Sequence, residues 1–436
     1  MQFQVIKKET LEEEVLYAPL DPGPALYVLP KNLYNKKYAV CSTNFGSIDN
    51  AFYVKENGSK ETVRLPDGIA HFLEHKLFDD EEGNVFDRFA SYGASPNAYT
   101  SFTNTGYLFS CTEYFHENFD LLLEFVRTPY FTEESVAKEQ GIIEQEIRMY
   151  EDNPQWQVFF NLLRALYKEH PVRNDIAGTV ESIRSITKDL LYKCYNTFYH
   201  PQNMAIFVTG DVSPEKVLEQ VSGSLEQKPA PPRMDIERVY PQEDLAVNQR
   251  EVTQKLSVSE PLVNIGFKDD FNYLRGRELL FRELTHDLLL EMIFGKSEPT
   301  FMQLYEEGLI DEHFSAGYVA ETTYGYTLLG GKTKDPEKLY DRVFSSIEGI
   351  KKEGLSQQNF ERHKRKMRGD LLQSFNSLEF IANNYLSYKF RGVDFFEILD
   401  ILEGVSLEQL EKRLHEHLRE ENHAISIILP PEGSSE

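Results

Sequence analysis

The chain has 436 residues, of which 41% are apolar and 27% charged, so it can build sizeable cores over about two or three domains. That mix excludes disorder, collagen-like repeats and a disulfide scaffold as descriptions of the whole chain. Its net charge of −25, from 46 Lys and Arg against 71 Asp and Glu, repels phosphate backbones and anionic lipid and so argues against nucleic acid or a bare membrane as partner.

In chain order, residues 1–14 are polar and hold no apolar stretch that could act as a signal peptide. A strand is predicted over 38–45, a helix over 68–78, a strand over 107–111, a long helix over 133–151, a helix over 187–198 and a strand over 204–209. The segment 222–244, with Gly223, Pro229, Pro231, Pro232 and Pro241, lacks periodicity and reads as a linker. The expected domains are therefore 1–221 and 245–436. Beyond the linker come strands at 263–267, 314–319, 326–329 and 424–429, with helices at 279–294, 337–351 and 358–376. Strands and helices interleave without strict alternation, which predicts an α+β class with two similar domains, each a mostly antiparallel sheet packed with helices. The longest apolar stretches, 121–123 and 424–429, are too short to span a bilayer. Cys41, Cys111 and Cys194 form no Cys-x-x-Cys pair and argue against a thiolate metal site. A cytoplasmic protein is the expectation.

Chemistry concentrates in Leu65-Pro66-Asp67-Gly68-Ile69-Ala70-His71-Phe72-Leu73-Glu74-His75-Lys76. Asp67 is the expected N-cap, and Ile69, Phe72, Leu73, Leu77 and Phe78 form the apolar stripe. On such a helix His71 and His75, four residues apart, project from one face with Glu74 beside them. Two neutral imidazoles can fill two corners of a tetrahedral zinc ion, and a neighbouring carboxylate can act as general base. Chance supplies roughly 0.04 such His-x-x-Glu-His matches in a chain of this composition, so the pattern is specific. In the long helix, Glu139 and Glu146 stand seven residues apart, two turns, and face the same way, while Ile142 and Ile143 are expected to turn into packing. Glu146 would complete a His-His-Glu set, and Glu139 would support it.

With these motifs, together with Asn97-Ala98-Tyr99-Thr100, His170-Pro171, Gly178-Thr179, Tyr199-His200-Pro201-Gln202-Asn203-Met204, Gly210-Asp211-Val212-Ser213 and the segment Leu304-Tyr305-Glu306-Glu307-Gly308-Leu309-Ile310-Asp311, the chain resembles the insulinase-like zinc metallopeptidases. This is the inverzincin family of pitrilysin, insulin-degrading enzyme and the mitochondrial processing peptidase, and the length resembles its short branch, in which two chains enclose a chamber. The resemblance implies zinc on His71, His75 and Glu146, Glu74 as catalytic base, Glu139 as a supporting catalytic residue, and Asn97 and Ala98 on an edge strand that pairs with an extended peptide. It also implies an Arg and a Tyr seven apart in the second half, holding the substrate carbonyl. The strand placed there reads Tyr326-Thr327-Leu328-Leu329-Gly330-Gly331, with Thr333 seven after Tyr326 and no such pair. A paralogous metal-less partner supplying the pair is therefore expected, with a homodimer as the second choice. The activity expected is zinc-dependent endopeptidase cleavage of peptides or unfolded segments. The alternative is a weakly catalytic or non-catalytic peptide-binding subunit.

Overall fold

The computed structural model describes residues 2–56, 59–80, 83–230, 236–270 and 273–431. They fall into two compact units. The first comprises Met1–Ile147, Asp175–Tyr240 and Ser374–Phe390, and the second Arg148–Asn174, Pro241–Gln373 and Arg391–Glu436.

The first unit is built on a seven-stranded sheet in the order Gln4–Lys8, Glu13–Pro19, Ala25–Pro30, Met204–Gly210, Lys37–Thr43, Thr105–Cys111, Ser95–Thr100. Every neighbouring pair is antiparallel except Ala25–Pro30 with Met204–Gly210. Met204–Gly210 is buried along its whole length, which is why it reads as a continuous apolar run and not as an alternation. The helix Leu378–Phe390 packs on this strand and on Lys37–Thr43, with Tyr385 set against Tyr27 and Phe207. The helix Phe115–Arg127 packs on Lys37–Thr43 and Thr105–Cys111. Among the described residues Ser95–Thr100 ends the sheet, paired with Thr105–Cys111 in the register Thr100↔Thr105 to Ser95↔Ser110.

The second unit repeats the pattern with five strands in the order Glu251–Lys255, His423–Leu429, Leu262–Lys268, Gly325–Lys332, Ser315–Ala320. Again one pair is parallel, Glu251–Lys255 with His423–Leu429, and it occupies the place of the parallel pair in the first sheet. The 19-residue helix Gly276–Phe294 buries apolar residues on most of its circumference and packs on Ser315–Ala320. Pro154–Leu166, capped by the Asn153 side chain, lies on His423–Leu429 and Leu262–Lys268. Gly266 allows this approach, because a Cβ there would come within about 3 Å of Leu162 and Leu166. Each unit thus draws one covering helix from the other half of the sequence. The fold is α+β with two similar, mostly antiparallel domains.

All the elements expected from sequence are present, with ends shifted by a few residues, and 133–151 is matched end to end by Glu133–Glu151. Others went unforeseen, among them Gln4–Lys8, Ala51–Glu56 with Ser59–Arg64, Pro154–Leu166 and Leu378–Phe390. The segment 222–244 is not an open linker throughout. Pro214–Gln227 carries a helix into it, and Ile236–Arg238 pairs with Ala51–Glu56, while Pro231 and Pro232 lie outside the described residues. Among the described residues no helix is long and apolar enough to cross a membrane.

Candidate metal centre

Two turns of helix, Ile69–Lys76, carry the His-x-x-Glu-His motif. Ile69, Ala70, Phe72, Leu73 and Lys76 face inward, and the Lys76 ammonium is neutralised by Asp79 Oδ2 at 2.5 Å. This leaves His71, Glu74 and His75 on the remaining, half-buried face. Asp67 does not cap the helix. Gly68 holds the N-cap position at φ 88° with no side-chain cap, and Asp67 instead accepts a hydrogen bond from Asn50 Nδ2 at 3.1 Å. The reason is a close backbone crossing. A Cβ on Gly68 would lie 2.4 Å from the Ala177 carbonyl oxygen, and one on Gly178 (φ 79°) would lie 2.5 Å from the Asp67 carbonyl oxygen. Two facing glycines therefore let the loop Ala177–Thr179 brace the start of the motif helix.

The long helix Glu133–Glu151 buries Val136, Glu139, Ile143 and Ile147 as one stripe. Glu139 is part of that stripe, only 7% exposed, and Glu146 stands beside it. Ile142 does not pack as expected: it is 44% exposed, because helical rotation places it on the flank while Ile143 alone goes inward.

The motif helix and the long helix bring the predicted ligands together. His71 Nε2 lies 3.7 Å from Glu146 Oε1, and His75 Nε2 lies 3.6 Å from Glu146 Oε2. One donor atom from each of these three residues lies within 4.8 Å of the other two. Donors at two corners of a tetrahedron around an ion at 2.0–2.2 Å stand about 3.3–3.6 Å apart, so the set fits a zinc-sized ion. The spacing is too long for good hydrogen bonds between the donors themselves. On its far side, His75 Nδ1 meets Glu139 Oε1 at 2.9 Å, which fixes the ring and leaves Nε2 facing His71 and Glu146.

Electrostatics point the same way. Burial, aided by neighbouring His75, pushes His71 down to about 3, so its imidazole is neutral at ordinary pH and free to donate a lone pair. Burial would also lower His75, but the hydrogen bond to Glu139 and the charges of Glu139, Glu146 and Glu74 outweigh it and raise its pKa. Glu74 is raised by burial and by the Glu146 charge, against the Thr100 hydrogen bond and His75. Three carboxylates gathered around two imidazoles make a site that a divalent cation would relieve.

Thr100 Oγ1 donates to Glu74 Oε2 at 2.5 Å. Thr100 closes the edge strand Ser95–Thr100 that also carries Asn97 and Ala98. Asn97 is exposed, and its Oδ1 accepts from the Ala98 N–H at 2.9 Å. Among the described residues, one side of the strand has no sheet partner. Tyr326 and Thr333 are both 3% exposed, and Tyr326 is flanked by the Tyr324 and Tyr167 rings. His170 and His200 each accept from a backbone N–H two residues on, capping the 3₁₀ turns that begin at Pro171 and Pro201.

A second group with ligand-like spacing, Asp269, His286 and His417, went unforeseen because its members are far apart in sequence. It is fully buried but already occupied by cations. Asp269 receives Arg413 at 2.7 Å, Arg282 at 3.3 Å and the Tyr318 hydroxyl at 2.5 Å. His286 Nε2 accepts from Arg413 Nε at 3.0 Å. One carboxylate facing two guanidinium groups would repel a metal ion, so this is a structural network.

Two family models match the chain. One, described as Insulinase (Peptidase family M16), covers residues 54–180, and one described as the Peptidase M16 inactive domain covers 185–367. A zinc protease of Bacillus subtilis strain 168, YmfH, itself called uncharacterized, is 44% identical over 425 residues, 98% of this chain and 99% of its own length. The chain belongs to peptidase family M16, the insulinase family. The solved structure of a putative M16-like peptidase from Alicyclobacillus acidocaldarius superimposes with a TM-score of 0.93 at 37% identity, over 98% of this M16 chain and all of that one. Pitrilysin shares the fold at a TM-score of 0.76 and 16% identity, and this M16 chain spans 46% of it. His71, Glu74, His75, Glu139 and Glu146 all lie within the part matched by the insulinase model and none within the part matched by the inactive-domain model.

Proposed function

We propose that this chain is a zinc-dependent endopeptidase acting on short peptides or unfolded polypeptide segments. The observation that carries the reading is the convergence of His71 Nε2, His75 Nε2 and the Glu146 carboxylate, with Glu74 set beside them and not among them. Zinc, when bound there, would polarise the scissile carbonyl and acidify a water. Glu74, its Oε2 engaged by Thr100, would take the attacking water's proton at Oε1 as the water oxygen bonds to the carbonyl carbon, and would hand it to the amine as the C–N bond breaks. Glu139 keeps His75 oriented through Nδ1. An extended substrate adds to the free side of Ser95–Thr100 alongside Asn97 and Ala98, so its main chain is aligned by sheet hydrogen bonds.

The developing oxyanion calls for a donor beyond the metal, and the strand Gly325–Lys332 holds no Arg. A paralogous metal-less subunit, closing a chamber with this chain, is the partner that would supply it; a homodimer is second. The buried free thiols of Cys41, Cys111 and Cys194 suit a reducing compartment and a cytoplasmic location. A purely peptide-binding role is disfavoured by the complete ligand and base set.

The test is mass spectrometry of peptide digests by the zinc-loaded chain beside Glu74→Gln. Cleavage lost in the variant with zinc retained supports the reading; equal cleavage by both refutes it.

A further inference from the structure

We propose that Thr100 is a positioning residue that pins Glu74 as a base and keeps it from becoming a fourth metal ligand. This inference rests on the metallopeptidase reading above.

A glutamate one residue from His75 has the reach to swing toward a dication held by His71, His75 and Glu146. A carboxylate bound there would close the open position that a catalytic zinc needs for its water. Something must hold the side chain back. Among the described residues, the side-chain hydrogen bond that reaches Glu74 comes from Thr100 Oγ1 to Oε2 at 2.5 Å. A hydroxyl suits this task. It offers one donor and no charge, so it fixes the carboxylate without neutralising the negative charge that proton abstraction requires.

The hydroxyl is itself held firmly. Thr100 pairs with Thr105, and the chain reverses between them in a turn closed by the Ser101 N–H donating to the Asn104 carbonyl at 2.9 Å. Ser101 Oγ accepts from the Thr103 and Asn104 N–H groups at 3.2 and 3.0 Å. Thr105 Oγ1 donates to the Phe45 carbonyl at 2.9 Å, and Gly46 passes so near Phe102 that a Cβ would lie 2.4 Å from its backbone. The turn is thus braced from both sides, as a group meant to fix another's geometry should be. Because Thr100 ends the strand that would receive the substrate, main-chain binding and base placement share one rigid element.

The experiment compares wild type with Thr100→Val, which keeps the β-branched shape, and Thr100→Ser, which keeps the hydroxyl. Each is loaded with Co(II) in place of zinc, after equal unfolding temperatures have been verified. Thr100→Val is expected to show shifted visible Co(II) bands as the Glu74 carboxylate takes the fourth position from water, and a kcat about 10–100-fold lower with KM little changed. Thr100→Ser restores both. A wild-type Co(II) spectrum in Thr100→Val overturns the proposal, with or without measurable turnover. Should the valine variant not fold, Thr100→Ala, which removes the hydroxyl and the methyl, takes its place, and the same two spectra support or overturn the proposal. If Glu74→Gln abolishes cleavage while Thr100→Val behaves as wild type, this inference alone falls. If Glu74→Gln cleaves normally, the reading beneath it falls.

Discussion

Glu139 Oε1 sits 2.9 Å from His75 Nδ1, joining a buried carboxylate on the long helix to an imidazole on the motif helix 64 residues earlier in sequence. The bond sets which ring nitrogen of His75 carries the proton and points the other toward His71 and Glu146. It also explains why an acidic residue occupies the apolar stripe of Val136, Ile143 and Ile147.

Removing that carboxylate should leave the three ligands present but His75 poorly held. Glu139→Ala is expected to weaken zinc binding about 10–100-fold in a chelator competition, with Glu139→Gln losing less because its amide oxygen can still accept. Unchanged affinity in Glu139→Ala would remove Glu139 from the site.

His170 gives the fold a readable response to acid. Burial pushes its pKa down to about 4, against the Glu243 charge, whereas in the unfolded chain it titrates near 6.5. The unfolded state therefore binds the extra proton, and stability present above pH 6.5 is lost as pH falls toward 4. The loss approaches about 3 kcal/mol when complete. His170→Asn retains an acceptor for the Val172 N–H but cannot titrate, so denaturant melts at pH 7 and pH 5 should show a smaller drop for the variant. Parallel drops would contradict this account.

Asp269 separates structural from metal-binding clusters. With Arg282 and Arg413 both directed at it, Asp269→Asn leaves buried positive charge uncompensated and should cost about 3–5 kcal/mol in denaturant melts. Zinc stoichiometry should stay the same. A fall in bound zinc would instead make the Asp269–His286–His417 group a metal site.

Much of the centre was legible in the sequence because helical periodicity is local. Spacings of four and seven residues already put His71 with His75 and Glu139 with Glu146 on common faces, and the fold brings those faces together. What the sequence withheld depends on long-range contacts. Asp67 reads as a cap until the crossing of Gly68 by Ala177 is seen, and Ile142 and Ile143 look alike until one helix face is known to be covered. The sheet against which Pro154–Leu166 or Leu378–Phe390 packs is not written in either helix, since an apolar face does not name its partner. Thr100 was visible only as a letter in Asn97-Ala98-Tyr99-Thr100; its bond to Glu74 needs the strand and the helix side by side.

The central claim is that His71, His75 and Glu146 hold zinc. Anomalous diffraction at the zinc edge from crystals of the zinc-loaded chain tests it most directly. The account predicts one strong peak about 2.0–2.2 Å from His71 Nε2, His75 Nε2 and a Glu146 oxygen, with Glu74 outside bonding distance. No peak there, or a peak at Asp269, His286 and His417 instead, would contradict it.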